Sequence, residues 1–570
     1  MASTLAQASA PLATVQVSAV SRVMTPLQRW LARPNVLLLV VCVYLCLTQN
    51  NAFWLHTSDA LSALPAAQAR LISCSVALTH LTLSVLLIGL LGLHRLLKPA
   101  LGLALLLSPL NAYFMDRYDS VIDQAMIGNM LQTTVGETVE LLSRDLFNQW
   151  MVWGVLPTLA LSRLHMDYGT AVRAVARRLI LISLLLTTCL GWVLGHYQTL
   201  SFWGREHREV RLYVNPVFPM VSALRSAWQH LLHHNAPPQW LEIGSDARLV
   251  GAPRTLILVV GETARADHFG LNGYPRDTTP QLSARQDVFS FADVTACGTY
   301  TALSLPCMFS RLGRDNWDAR RAHHQDNLLD ILARAGAQIS WTDNDGGCKG
   351  VCDRLQHASL ERQADGRECP LHGCTDLALL PGVQEQLETL DPDRSQLIVV
   401  HQFGSHGPAY HRRLPPDFAG FAPACERDQP TLCAQAEVVN AYDNTILLTD
   451  QLVAQLIAQL EARWPGRRRA LVYVSDHGES LGENGVYLHG LPYPLAPNAQ
   501  KKVPLLMWFS EEFRSDFDDH CVSQQSELKL SHDNLFDLIA GLMDLSSEVV
   551  RPAMDPLRAC THPPHAAGET

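Results

Sequence analysis

Up to about residue 200 the chain is dominated by apolar runs, five of which lie near Asn35–Gln49, Leu71–Leu93, Leu96–Met115, Gln149–Leu164 and Leu179–Leu194. Crossing a bilayer takes roughly 20 mostly apolar helical residues. The second and third runs reach that length, and the others need flanking residues to do so. Core helices of a soluble bundle would also be apolar, but five such runs in one block nearly free of charge point to lipid. The pattern predicts an α-helical transmembrane domain of five spans over residues 34–200, after an N-terminal segment of residues 1–33. The first run also has the look of a signal peptide followed by the small-residue stretch Ala63–Ala69, and removal there would leave four spans.

The pattern then changes. Residues 201–250 mix aromatic, basic and polar side chains and read as a juxtamembrane linker, partly at the lipid surface. From Pro253 onward, β-rich runs at Thr255–Val260, Gln338–Thr342, Gln396–Val400 and Ala470–Val474 alternate with helical stretches such as Asn327–Ala335 and Ala434–Leu460. Apolar strands alternating with helices predict a largely parallel sheet covered by helices on both faces, so residues 251–570 are expected to form an α/β domain.

Charge orients the two halves. Arg22, Arg29 and Arg33 precede the first run, while His94, Arg95 and Lys98 join the second to the third. Arg163, Arg173, Arg177 and Arg178 join the fourth to the fifth. The joint after the third run carries Asp116, Asp119, Asp123, Glu137, Glu140 and Asp145 instead. By the positive-inside tendency the N-terminus is cytoplasmic, and five spans deliver the α/β domain to the opposite side. A formal net charge of −10 argues weakly against nucleic acid as a partner.

Cysteines agree with that placement. Of the 14, Cys42, Cys46, Cys74 and Cys189 lie in the apolar half as filler. The rest lie beyond residue 290, mostly as close pairs: Cys297/Cys307, Cys348/Cys352, Cys369/Cys374 and Cys425/Cys433, with Cys521 and Cys560 available as a fifth. In a cytosolic protein close pairs suggest zinc sites. Outside the cytosol they read as disulfides that staple loops.

Candidate chemistry follows three of the β-rich runs. The first leads into Gly261-Glu262-Thr263, the third into His401-Gln402-Phe403-Gly404-Ser405-His406-Gly407, and the fourth into Ser475-Asp476-His477-Gly478-Glu479. Ligands in open α/β sheets gather at the carboxyl ends of strands. Glu262, Asp476 and His477 offer the carboxylate and imidazole mixture that suits Zn²⁺. Alone, an Asp-His after a strand is more often a turn, and a lone His401 reads as hydrogen-bonded structure. Convergence of three strand ends makes the metal reading the stronger one.

On these motifs the chain resembles the lipid A phosphoethanolamine transferases, which include the mobile colistin-resistance enzymes, within the alkaline-phosphatase and sulfatase superfamily. The resemblance also takes in His207–Pro216, Gly261–His268, Cys297-Gly298-Thr299-Tyr300-Thr301, His406-Gly407-Pro408-Ala409-Tyr410 and Ser475–Glu483. It implies an alkaline-phosphatase-like sheet sandwiched by helices, and Thr301 as a zinc-bound nucleophile with Glu262, Asp476 and His477 as the other ligands. Thr299 would serve equally by residue type, and only the family spacing selects Thr301. His406 and His489 are implied as contacts of the phosphoryl group or of a second zinc during turnover, and Lys349 as a phosphate-steadying cation. Asn129, Thr133 and Glu137, at intervals of four, would share one helical face toward the ethanolamine head.

The implied reaction moves phosphoethanolamine from phosphatidylethanolamine to a lipid A phosphate, at the Gram-negative inner membrane. Weakened binding of cationic peptides such as polymyxin is the implied consequence. Two rival readings are a phosphoethanolamine or phosphoglycerol transferase for core sugars or periplasmic glucans, and a membrane receptor that has lost catalysis.

Overall fold

The structure, a computed structural model, describes residues 30–133, 135–233, 239–360, 369–370 and 374–562. Three helical stretches are long and apolar enough to cross a membrane: Ala66–Leu91, His94–Tyr118 and Ala171–Gly195. A fourth crossing is available to a bent pair, α1 (Pro34–Thr48) and α2 (Asn51–Leu61), which meet at 63°. The described helices thus give three or four candidate spans where the sequence pattern predicted five.

The bend has a local cause. The helix break at Gln49–Asn50 releases backbone groups that must be paired inside an apolar domain. Asn215, fully buried, donates through Nδ2 to the carbonyls of Gln49 (2.9 Å) and Ser108 (2.8 Å) and through its own N–H to Asn50 Oδ1 (2.9 Å). Asn50 Nδ2 donates in return to Leu45 O and Asn215 O. This network fastens the His207–Pro216 segment to the membrane half, so what read as linker is partly integral to it.

The fourth predicted span lies in a continuous helical run, Arg144–Trp150 through a π turn at Met151–Val155 into Leu156–Arg163. The π turn lets Gly154 approach the Leu97–Tyr118 helix so closely that a Cβ there would sit 3.0 Å from Leu105 O. Pro109, inside that same helix, has no N–H to close the ladder. Trp150 Nε1 donates to Leu106 O at 3.0 Å in that region. The run is packed on its neighbour, but its polar first turn keeps it outside the three clear spans.

The α/β domain is built on one eight-stranded sheet. Its strands are β1 (Arg254–Gly261), β2 (Val288–Thr295), β3 (Gln338–Asp343), β4 (Gln356–Ser359), β5 (Gln396–His401), β6 (Arg468–Ser475), β7 (Lys502–Phe509) and β8 (Leu530–Ser531). They lie in the order β8-β2-β7-β6-β1-β5-β3-β4. The run from β6 to β4 is parallel, and β7 is antiparallel to both of its neighbours. One apolar cluster fills one face, with Leu256, Leu258, Val260, Trp341 and Phe536. A second fills the other beneath the helix Gln435–Ala462, with Ile257, Val259, Tyr442 and Ile446. The sheet is therefore sandwiched by helices, as expected, and each predicted strand is present with one to three residues added. β2, β4, β7 and β8 were not anticipated.

Five disulfides pair Cys297–Cys307, Cys348–Cys352, Cys369–Cys374, Cys425–Cys433 and Cys521–Cys560. The two halves touch through apolar side chains: Leu491, Ala496 and Val486 of the α/β domain join a cluster with Phe53, Val121, Ile122 and Met126.

Candidate active site and metal centre

In-register pairing brings three adjacent strand ends together, since Gly261 of β1 lies opposite Ser475 of β6 and Val260 opposite His401 of β5. The next residues out are Glu262, Asp476 and Gln402. Gly404, at φ +53°, permits the closest approach, because a Cβ there would meet Glu262 O at 2.7 Å. Thr263 is held at φ 54°, a strained conformation for a β-branched residue. Asp476 Oδ1 fixes it by accepting from Thr263 N (3.2 Å), and Ser475 Oγ accepts from Ala264 N (2.8 Å).

Glu262, Asp476 and His477 are completely buried. His477 Nε2 lies 3.3 Å from Glu262 Oε1 and 3.3 Å from Asp476 Oδ2. His477 Nδ1 lies 3.0 Å from Gly478 O, a pure acceptor, so the proton belongs on Nδ1 and the lone pair of Nε2 points into the cluster. Asp476 Oδ2 is buried without a hydrogen-bond partner among the described residues. A buried carboxylate oxygen left unpaired is costly, and an imidazole lone pair beside it is the donor set of a divalent ion. The residues fit the metal that the strand ends predicted.

Thr301 opens the helix Thr301–Phe309, and its Oγ1 lies 3.1 and 3.2 Å from the Glu262 carboxylate oxygens and 3.4 Å from His477 Nε2. At the helix N-terminus, unpaired N–H groups favour negative charge on the hydroxyl. The Cys297–Cys307 disulfide closes the loop, and Ser304 Oγ ties it to the Asp476 carbonyl. Thr299, the other candidate by residue type, has its hydroxyl turned to Leu491 O at 2.7 Å.

Histidines line the opening. The His489 ring lies 4.5 Å from that of His477 and 5.2 Å from that of His406. Glu479 accepts from His489 Nδ1 (2.7 Å) and from Tyr410 OH (2.8 Å). Burial, then His489 and Arg413, holds His406 well below the usual imidazole range, so it is neutral at pH 7.

The sequence and fold are similar to those of known proteins. The Sulfatase family matches residues 254–545, and the Phosphoethanolamine transferase EptA/EptB family matches residues 80–231. Phosphoethanolamine transferase EptA of Salmonella typhimurium is 37% identical over 94% of this chain and 99% of its own. Phosphatidylethanolamine transferase Mcr-1 of Escherichia coli is 37% identical over 91% of this chain and 96% of its own. Among solved structures, the integral membrane protein lipooligosaccharide phosphoethanolamine transferase A of Neisseria meningitidis superposes with a TM-score of 0.88. It is 34% identical and covers 92% of this chain and 99% of that one. The chain belongs to the EptA family of phosphoethanolamine transferases. It is an inner-membrane enzyme whose α/β domain stands in the periplasm.

In this transferase a pocket of about 140 Å³ runs from the histidines into the helical half. His406, Pro408, Leu488 and His489 line it on one side, and Phe114, Ile122, Met126, Asn129 and Thr133 on the other. The predicted common face of Asn129, Thr133 and Glu137 is not one continuous helix. Helix Gln124–Gln132 ends at Thr133, which is extended (ψ 135°) and turns its hydroxyl back to Asn129 O (3.0 Å), and a new helix begins at Val135. The Glu137 side chain lies outside the described residues. Lys349 is half-buried at φ 48° in the loop after β3, between the disulfide cysteine Cys348 and Gly350.

Two residues the sequence did not single out join the halves. Arg413 Nη1 and Nη2 reach the Glu140 carboxylate at 3.0 and 2.5 Å, with both side chains almost fully buried. Arg413 Nε also donates to His406 O (2.9 Å), and its guanidinium lies 3.9 Å from the Phe403 ring centre.

Burial, followed by Asp476 and Asp345, pushes Glu262 well above the usual carboxylate range in the metal-free chain. A raised folded-state value contributes stability below the unfolded value and loses it as pH rises through the folded one. Metal loading needs the ionised carboxylate. The gap in thermal midpoint between Zn²⁺-loaded and chelator-stripped protein is therefore expected to widen from mildly acidic to neutral pH. Paired melting curves across that range check it, and a constant gap would show that Glu262 is no ligand.

Proposed function

We propose that the chain transfers phosphoethanolamine from phosphatidylethanolamine to a phosphate group of lipid A, through a covalent intermediate on Thr301. The observation that carries this is the buried Thr301 hydroxyl within 3.4 Å of both Glu262 and His477, close to a pocket lined by the membrane and periplasmic halves. Glu262, Asp476 and His477, with Thr301, would hold one Zn²⁺, which when bound lowers the hydroxyl pKa and polarises a phosphate oxygen. Thr301 Oγ1 then attacks phosphorus, and the phosphorus–oxygen bond to diacylglycerol breaks. His489, whose Nδ1–H donates to Glu479, presents its lone pair on Nε2, from which it would take the Thr301 proton and pass it to the departing diacylglycerol oxygen. A lipid A phosphate oxygen attacks the phosphothreonine phosphorus next, the phosphorus–oxygen bond to Thr301 breaks, and the proton of that lipid A phosphate returns through His489 Nε2 to the Thr301 oxygen. His406 and Lys349 are read as contacts of the transferring group, and Asn129, Thr133 and Glu137 as contacts of the ethanolamine head.

Two lipid substrates explain why the domain is tethered. We take five crossings as the topology, with the bent pair as the first and the Arg144–Arg163 run as the fourth. The units are residues 1–33, 34–200, 201–250 and 251–570. Four crossings from a cytoplasmic N-terminus would leave the α/β domain on the wrong side for lipid A.

Mass spectrometry of lipid A from Gram-negative cells tests the reaction. Expression of the chain is expected to add a phosphoethanolamine increment, and unmodified lipid A from well-expressed protein would redirect the reading to core sugars or glucans. In the same assay Glu479→Gln, which removes the anion that holds His489, is expected to lower transfer by about 10²-fold. Unchanged transfer would remove His489 as the proton donor.

A further inference from the structure

Glu262 belongs to two buried groupings. Besides Asp476 and His477, it closes a second set with Asp345 and His401, whose ligand atoms all lie within 4.8 Å of one another. This set comes from the next strand ends along the sheet. β3 and β5 pair with Asp343 opposite His401, and the turn after β3 brings Asp345 back over them. Glu262 and His401 are fully buried, and Asp345 is 3% exposed.

The orientation of His401 is what makes this a site. His401 Nδ1 lies 3.1 Å from Asp343 Oδ2. Asp343 also accepts from Trp341 Nε1 (3.0 Å) and from the N–H groups of Asp345 (2.7 Å) and Gly347 (2.9 Å), so it is fixed as an ionised acceptor. Nδ1 must then be the donor, and a neutral ring carries its lone pair on Nε2. That nitrogen has no hydrogen-bond partner among the described residues, and Asp345 Oδ2 lies 3.7 Å away. This separation is long for a hydrogen bond. It matches two ligands on one ion with bonds of about 2.1 Å, which stand roughly 3.4 Å apart. A carboxylate that sets the tautomer of a histidine whose other nitrogen faces acids is the arrangement of metal-ligating histidines.

Charge points the same way. Glu262, Asp343 and Asp476 form no ion pair with any Lys or Arg among the described residues.

We propose that Glu262, Asp345 and His401 hold a second divalent transition ion, with Glu262 bridging it to the ion at Asp476 and His477. Two carboxylates and one imidazole suit Zn²⁺ or Mn²⁺. Asp343 is the positioning residue. The proposal rests on the first metal site of the transfer reading and adds an ion at residues outside the His406/His489 pair.

The test is metal content of the full-length chain in detergent, stripped and reloaded with Zn²⁺, together with anomalous diffraction from the loaded wild type. Expected are two ions per chain, about 3.5–4 Å apart, the second against His401 Nε2. His401→Gln and Asp345→Asn, each checked for folding by its melting curve, should hold one ion, whereas His406→Gln should hold two. A single ion in the wild type, no anomalous peak at His401, or two ions retained in folded His401→Gln overturns the second site and leaves the transfer reading intact. No bound ion at all overturns both. The anomalous map decides the matter even where a variant fails to fold.

Discussion

Replacing Thr301 by alanine is expected to lower phosphoethanolamine transfer by on the order of 10⁴-fold or more, because removal of a covalent nucleophile eliminates the pathway rather than weakening it. Folding should survive the change. Thr301 Oγ1 bonds only to groups that a metal would otherwise occupy, while the loop is held by Cys297–Cys307 and by Ser304 Oγ on the Asp476 carbonyl. Melting of the variant near the wild-type midpoint, with transfer lost, is the predicted pair of results. Thr299→Ala supplies the contrast, since its hydroxyl bonds Leu491 O and has no part in the transfer. Transfer retained in Thr301→Ala would exclude the covalent route.

The second large effect belongs to the junction between the halves. Glu140 is buried against Arg413, and burial outweighs the guanidinium so that its carboxyl is raised above the usual range. Such a pair adds little net stability, but stranding one member costs about 3–5 kcal/mol. Arg413→Met is expected to lower the thermal midpoint of the detergent-solubilised chain by that equivalent. Arg413→Met combined with Glu140→Leu should recover most of it, because two apolar side chains then face each other. Transfer should stay low in both, since Arg413 Nε holds the His406 carbonyl and its guanidinium lies over Phe403, whose ring stacks on His406. Restored transfer in the double variant would mean that the pair serves stability alone.

Much of the fold was legible in the sequence, for a physical reason. β1, β5 and β6 are buried on both faces and so read as continuous apolar runs, and their polar residues begin where the sheet ends. Glu262, Asp476 and His477 were visible because each follows such a run immediately. β2 and β7 escaped notice: Val288–Thr295 interposes Ser290 and Asp293, and Lys502–Phe509 is broken by Pro504. Residues that act across the fold left no local signal. Arg413 and Glu140 are 273 positions apart, and nothing near either announces the other. Asp343 ends a strand that was anticipated, yet its meaning depends on register with His401. In the membrane half, apolarity located the helices but not their breaks. The bend at Gln49–Asn50 depends on Asn215, and the helix end at Thr133, where the backbone turns extended, carries no proline to mark it.

The most direct test of the central claim uses the purified full-length chain and phosphatidylethanolamine labelled in its head group. Without lipid A, the label is predicted to appear on the peptide that carries Thr301. Addition of lipid A should move it onto the lipid, with one diacylglycerol released for each group first loaded. Label that reaches lipid A without ever residing on Thr301, under conditions that trap phosphothreonine, would contradict the account.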